Sequence, residues 1–300
     1  CPASRITGYP NGFAGWLTRT DADAWLYTGG LENHPQLVDT MARDKILLGN
    51  PGDVLRQVRS PGKVAQVLGQ HGIRFPELRH TPSGLPRDGS WLVKTGRGCS
   101  GLGISRFQDP VPNRLLKKRS LPGIRPFYQK WIAGIPGSAI YIAAAGQSVL
   151  LGVTYQLIGY AWSAPRPFQY AGSIGPWPLD NSVLGALRTI GDVLSCEFGL
   201  VGLFGVDFIL SESGNGIVSG NGIQGESGGL GTEDLGDRLD RATGMKNTEA
   251  DTTLAWNSTT GNVWVIEINP RYTASVEVIE RIIDPDQADP GPCAADCASK

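Results

Sequence analysis

Residues 263–275 read VWVIEINPRYTAS, and the interpretation of the whole chain turns on them. The run is apolar enough for a buried strand, yet Glu267, Asn269 and Arg271 occupy alternate positions up to the Pro270–Arg271 stop. Side chains of a strand alternate with a period of two. Those three residues therefore share one face, while Val265, Ile266 and Ile268 largely serve packing. Glu267 and Asn269 lie about 7 Å apart along such a backbone, a spacing at which two oxygen-bearing side chains can converge on one hard cation. Taken alone, an ion pair between Glu267 and Arg271 explains the pattern equally well.

A second long apolar strand, LFGVDFIL at 203–210, carries Asp207 near its middle. If the two strands pair, three oxygen ligands gather on one sheet surface, and burying that much negative charge without a counter-ion is costly. Mg2+ suits such an all-oxygen site, with Mn2+ as a substitute, because it retains waters and accepts bound phosphates. Further upstream, VKTGRGCSGLGI at 93–104 ends a strand on Lys94 and continues through Gly96, Gly98, Gly101 and Gly103. An ammonium and several free backbone N–H groups are thereby offered to phosphate oxygens. It is not a P-loop, because no Gly-Lys-Ser/Thr closes it. Gly96, Gly98 and Gly101 satisfy GxGxxG, but they join two strands rather than open a helix. A hairpin without a ligand stays open as the alternative. FYQKWIAG at 127–134 places Gln129, Lys130 and the backbone of Trp131 and Ile132 at a strand edge, where a flat heterocycle can be hydrogen-bonded.

The bulk numbers are those of an ordinary soluble globular chain: 300 residues, 40% hydrophobic, 18% charged, net charge −1. That charge excludes a nucleic-acid partner and a membrane surface, and no apolar stretch is long enough to span a bilayer. Five scattered cysteines fit reduced thiols and a cytoplasmic location better than a disulfide framework. His34, His71 and His80 form no triad with a nucleophile, and Cys99 in the glycine-rich turn has no evident base.

Strands and helices alternate irregularly, with adjacent hairpins, which predicts an α+β fold. Two short helices open at the Pro-Gly breaks of residues 51–52 and 61–62. A longer helix is predicted over 182–199. Residues 211–262 hold eleven of the 41 glycines and few aromatics, the composition of a flexible insertion. Residues 284–300 read as a loose tail. The opening at Cys1 suggests a truncated α/β N-terminal region over 1–58, containing YTGGLENHP.

In order along the chain, Lys63 after a Pro break, the strand–Lys94–glycine hairpin, QKWIAG, GVDFIL and VIEINPR resemble the ATP-grasp superfamily. Within it the chain looks most like ATP-dependent carboligases related to biotin carboxylase. The resemblance implies an ATP-grasp domain over 59–283, with a lid at about 75–132. It implies that ATP is the cofactor, with Lys63, Lys94, Gly98, Ser100 and Gly101 around its phosphates and Gln129, Lys130 and Ile132 around its adenine. Asp207, Glu267 and Asn269 would hold Mg2+, and Arg271 with Lys94 would serve the transferred phosphoryl group. The activity implied is carboxylate ligation: an acyl-phosphate forms at the expense of ATP and is attacked by an amine or another nucleophile. The partners implied are a small-molecule carboxylate and an amine, with a homodimer left open. A non-catalytic ATP-binding module and a small-molecule phosphotransferase are the alternatives. Pro136-Gly137-Ser138 stands where many relatives carry a ribose-binding acid, so that contact is not expected here.

Overall fold

The structure is a computed structural model and describes residues 5–96, 98, 100–108, 126–211 and 261–283. The proposed insertion, apart from its first and last residues, and the proposed tail lie outside the described residues.

The N-terminal part begins with α1 (Gly12–Arg19), β1 (Ala24–Trp25), a 3-10 turn (Leu31–Asn33), α2 (Pro35–Asp44) and β2 (Ile46–Leu47). β1 and β2 pair in parallel, and Leu17, Trp25, Tyr27, Leu31, Val38 and Met41 fill a small core between them and the helices. Next come α3 (Gly52–Val58) and α4 (Pro61–Gln70), both starting at the Pro-Gly breaks. Proline at the first helical positions costs nothing, since its missing N–H would be unpaired there anyway. α3 is the seam: Leu55 packs into the N-terminal core, while Val54 and Val58 pack into the main one.

A four-stranded sheet follows, in the order β3 (Leu78–Arg79), β6 (Pro126–Lys130), β4 (Asp88–Thr95), β5 (Ile104–Gln108). Trp91, Val93, Phe107 and Tyr128 bury its outer face. Leu92 and Lys94 face the opposite way, as period two requires.

The main sheet is antiparallel and five-stranded: β11 (Asn262–Asn269), β10 (Gly202–Ser211), β7 (Ile135–Ala144), β8 (Gln147–Ile158), β9 (Tyr170–Ile174). One face is covered by α5 (Asn181–Phe198), whose Leu187, Ile190 and Leu194 meet Tyr141, Val153 and Phe204. Gly199 ends that helix in a left-handed conformation, the usual glycine stop. Trp177 is a core residue stacked on Phe208. The other face is half covered by α6 (Ala274–Ile283), through Val276 and Ile279 against Ile140. The uncovered half of this face meets the four-stranded sheet across a cleft. Among the described residues no helix is long and apolar enough to cross a membrane.

Candidate functional site

β10 and β11 pair as expected, and Asp207 lies directly across from Glu267, with Asn269 opposite Gly205. A bulge beside Asp207 leaves Ile266 unmatched, so this residue leaves the packing face expected of it and lines the cleft with Glu267. The bulge is the physical reason that strict alternation misplaces Ile266. Asn269 Nδ2 donates to Asp207 Oδ2 at 2.9 Å, and Gln156 Nε2 on β8 donates to Asp207 Oδ1 at 2.9 Å. Asp207 keeps a little accessible surface, but its carboxyl group is enclosed. Burial first, then the charge of Glu267, push its pKa up to about 6, against hydrogen bonds from Ser138 and Asn269 and the charge of Arg271.

Lys94 enters from the facing sheet. It is 7% exposed, and no carboxylate pairs with it directly among the described residues. Burial lowers its pKa, and the fields of Glu267 and Asp207 act against that shift while Arg59 adds to it. Three strands, β4 of one sheet and β10 and β11 of the other, thus bring Lys94, Asp207, Glu267 and Asn269 to one place.

Arg271 does not pair with Glu267. Its Nε donates to Glu32 Oε1 at 2.8 Å, and its terminal nitrogen reaches Asn269 Oδ1 at 3.4 Å. Glu267 is bound instead by Arg59, whose NH1 lies 2.8 Å from Oε1. The alternative reading of Glu267 as the ion-pair partner of Arg271 gives way to this pair.

The cleft encloses about 620 Å3 of space, counting the part open to solvent, between α3 and α4, the four-stranded sheet and β11. Its apolar walls are Val58, Val64, Phe75, Ile104 and Phe127, and its polar groups are Arg59, Lys94, Gln129 and Glu267. Gln129 Nε2 is buried and has no hydrogen-bond partner among the described residues, so a donor is held ready on the wall. Gly98 and Gly101 line the cleft. A Cβ on Gly101 would overlap the carbonyl oxygen of Phe168, and Tyr170 N–H donates to Ser100 O at 3.4 Å. The glycine-rich turn therefore rests against the loop that leads into β9.

Of the expected residues, Ser100, Asp207, Asn269 and Arg271 lie next to the cleft lining but not in it, and three fall elsewhere. Lys63 sits on the exposed side of α4, where its Nζ donates to Gln57 Oε1 at 2.6 Å, outside the cleft lining. Lys130 follows Gln129, so its side chain takes the opposite face of β6 and lies 5.3 Å from the Trp91 ring centroid. Ile132 is buried beyond the strand end and is not part of the lining. The sequence reasoning missed Arg59, Glu32, Asn33 and Gln156. For Arg59 and Glu32 there was a signal, a charge lodged in a helix break and in a glycine turn flanked by buried apolar residues. Gln156 gave none.

Residues 62–222, more than half of the chain, match the family model of the ATP-grasp domain, and the chain belongs to that family. Solved structures agree in fold. A protein of Archaeoglobus fulgidus assigned to the ATP-grasp superfamily superposes with a TM-score of 0.55 at 18% identity, covering 90% of this chain and 64% of its own. Biotin carboxylase of Campylobacter jejuni, solved with an ATP analogue, gives 0.59 at 14% identity, covering 90% and 54%. An L-amino acid ligase of Bacillus licheniformis gives 0.51 at 17% identity, covering 82% and 49%. The chain thus spans less than two thirds of the length of these structures. No curated protein sequence matches it.

Proposed function

We propose that this chain is an ATP- and Mg2+-dependent carboxylate ligase. The observation that carries the proposal is the meeting of Glu267 with buried Lys94 in the lining of a cleft beside a glycine-rich turn, with Asp207 directly across the strand pair from Glu267 and Asn269 bonded to Asp207. The donor set fits the metal: two carboxylates and an amide oxygen, all hard ligands, on adjacent strands. Among the described residues no three His, Cys, Asp or Glu side chains gather as a metal site by themselves, which agrees with a metal that takes its remaining ligands from phosphates and water. When bound, Mg2+ would neutralise phosphate charge.

The residues then divide the work. Lys94 supplies a desolvated positive charge where phosphoryl oxygens gather, and a charge in such a dry site is worth more than in water. Gln129 has a free buried donor for the base of the nucleotide. Arg271, held from behind by Glu32, keeps one terminal nitrogen beside Asn269, and would serve the transferred phosphoryl group from there. In the first step an oxygen of the substrate carboxylate bonds to the γ-phosphorus while the bond to ADP breaks, giving an acyl-phosphate. In the second an amine attacks the acyl carbon, phosphate departs, and the amine proton is lost to phosphate or water. Neither step asks for a protein nucleophile, which accords with the lack of a Ser/His or Cys/His pair in the sequence.

The test is a screen of carboxylates and amines read by ADP release. Release that depends on both, with an amide product, supports the proposal. Tight Mg·ATP binding with no release under any pair supports a binding module instead.

A further inference from the structure

Arg59 caps the C-terminal end of α3, at the Pro-Gly break before α4. Its side chain is 14% exposed, far less than a free surface arginine, and it lines the cleft. One guanidinium joins three separate parts of the chain. NH1 donates to Glu267 Oε1 at 2.8 Å on β11. NH2 donates to Asn33 Oδ1 at 3.2 Å in the N-terminal turn, and to Gly98 O at 3.3 Å in the glycine-rich turn. Its Nε is buried and has no partner among the described residues.

Two features make this contact unlike a settled structural ion pair. Glu267 is 35% exposed on its side chain and belongs to the oxygen cluster, so the guanidinium occupies a carboxylate that a divalent cation would need. The positive charges of a guanidinium and a metal ion repel and compete for the same oxygen. Secondly, the cleft has no other arginine in its described lining, and Lys63 lies outside it. A planar fork with a spare Nε–H is the side chain best shaped to take a phosphate.

We propose that Arg59 is the phosphate-binding arginine of this cleft and that it changes partners: without nucleotide it neutralises Glu267, and with nucleotide it turns to a phosphate and releases Glu267 to the metal. The inference rests on the nucleotide-binding part of the proposed function. Its contact with Gly98 O ties the exchange to the glycine-rich turn, so the same movement that frees Glu267 also frees the roof of the cleft.

The exchange has a signature of opposite signs. In Arg59→Gln, Mn2+ added alone should bind about fivefold tighter than in the wild type or better, while ADP in EDTA should bind about tenfold weaker. Arg59→Lys keeps the charge but loses the fork. It should hold Mn2+ affinity near the wild-type value and still lose ADP affinity. Titration calorimetry and Mn2+ spin resonance read both arms without turnover. Mn2+ affinity unchanged or weaker in Arg59→Gln overturns the inference. So does a loss of ADP affinity in Lys63→Ala that matches the loss in Arg59→Gln. These arms also separate the two proposals. The ligase reading can fail for want of carboxylate-dependent ADP release while Mn2+ and ADP still decide the role of Arg59. A wild type that binds no ADP at all overturns both.

Discussion

Arg271 Nε donates to Glu32 Oε1 at 2.8 Å across 239 residues of sequence, and the Glu32 side chain is 1% exposed. Removing one partner of a buried pair strands the other charge, at a cost of about 3–5 kcal/mol. Glu32→Ala should lose about that much stability in urea unfolding. Glu32→Gln keeps an acceptor for Nε and should lose about 1–3 kcal/mol. Stabilities of both variants within about 0.5 kcal/mol of the wild type would show that the pair holds nothing in place.

Lys94 and Glu267 act as a unit in the proposed chemistry. Lys94→Met retains the apolar stem in its buried slot, so the fold should survive while ATP turnover falls at least about 100-fold. Glu267→Gln should fall comparably. Because Glu267 supports the charged form of Lys94, that variant should also move any alkaline limb of the activity profile to lower pH. Full activity in either variant defeats the assignment.

The carboxyl group of Asp207 has its pKa pushed up to about 6 from 3.8, by burial and then by Glu267. The folded state therefore holds this proton more tightly than the unfolded one. The stabilisation so gained is complete below the unfolded value and is lost as pH rises through about 6. In metal-free protein, Asp207→Asn should flatten the stability profile between those two values. Wild-type Mn2+ affinity should run the other way and strengthen as pH rises through the same window, because only the ionised carboxylate binds metal. Mn2+ affinity that is flat across this window would remove Asp207 from the metal site.

Gly101 has φ +73° and touches the carbonyl oxygen of Phe168. A left-handed alanine costs roughly 1–2 kcal/mol, and its Cβ would also push the two loops apart. Gly101→Ala should therefore leave the unfolding midpoint of the main sheet nearly unchanged, quicken proteolysis of the turn at 95–103, and weaken ADP binding. Unaltered proteolysis and ADP affinity would mean that the turn does not depend on this seat.

Much of this was legible beforehand because strands advertise themselves by period and helices by their breaks. LFGVDFIL and VWVIEINPR are long apolar runs with one polar row, so alternation put Glu267 and Asn269 on one face, and the clustering with Asp207 followed once the two strands were taken to pair. The same alternation should have warned that Lys130 could not share a face with Gln129. What escaped was the set of partners remote in sequence. Arg59 was overlooked for Lys63, four positions on: Arg59 ends α3 while Lys63 belongs to α4, whose inner face is claimed by the apolar Val64 and Val67. The pairing of Glu32 with Arg271 depends on how the N-terminal turn docks, which no local pattern encodes.

Among the described residues in and next to the cleft, Glu32, Asp207 and Glu267 stand against Arg59, Arg271 and Lys94, three acids and three bases. Taken together they cancel, so the cleft casts little field into the surrounding water. A nucleotide must then arrive by unaided diffusion, and its rate of capture should hardly change with ionic strength. If the cleft takes a nucleotide as proposed, selectivity for it would arise after entry, when Arg59 leaves Glu267 for a phosphate oxygen.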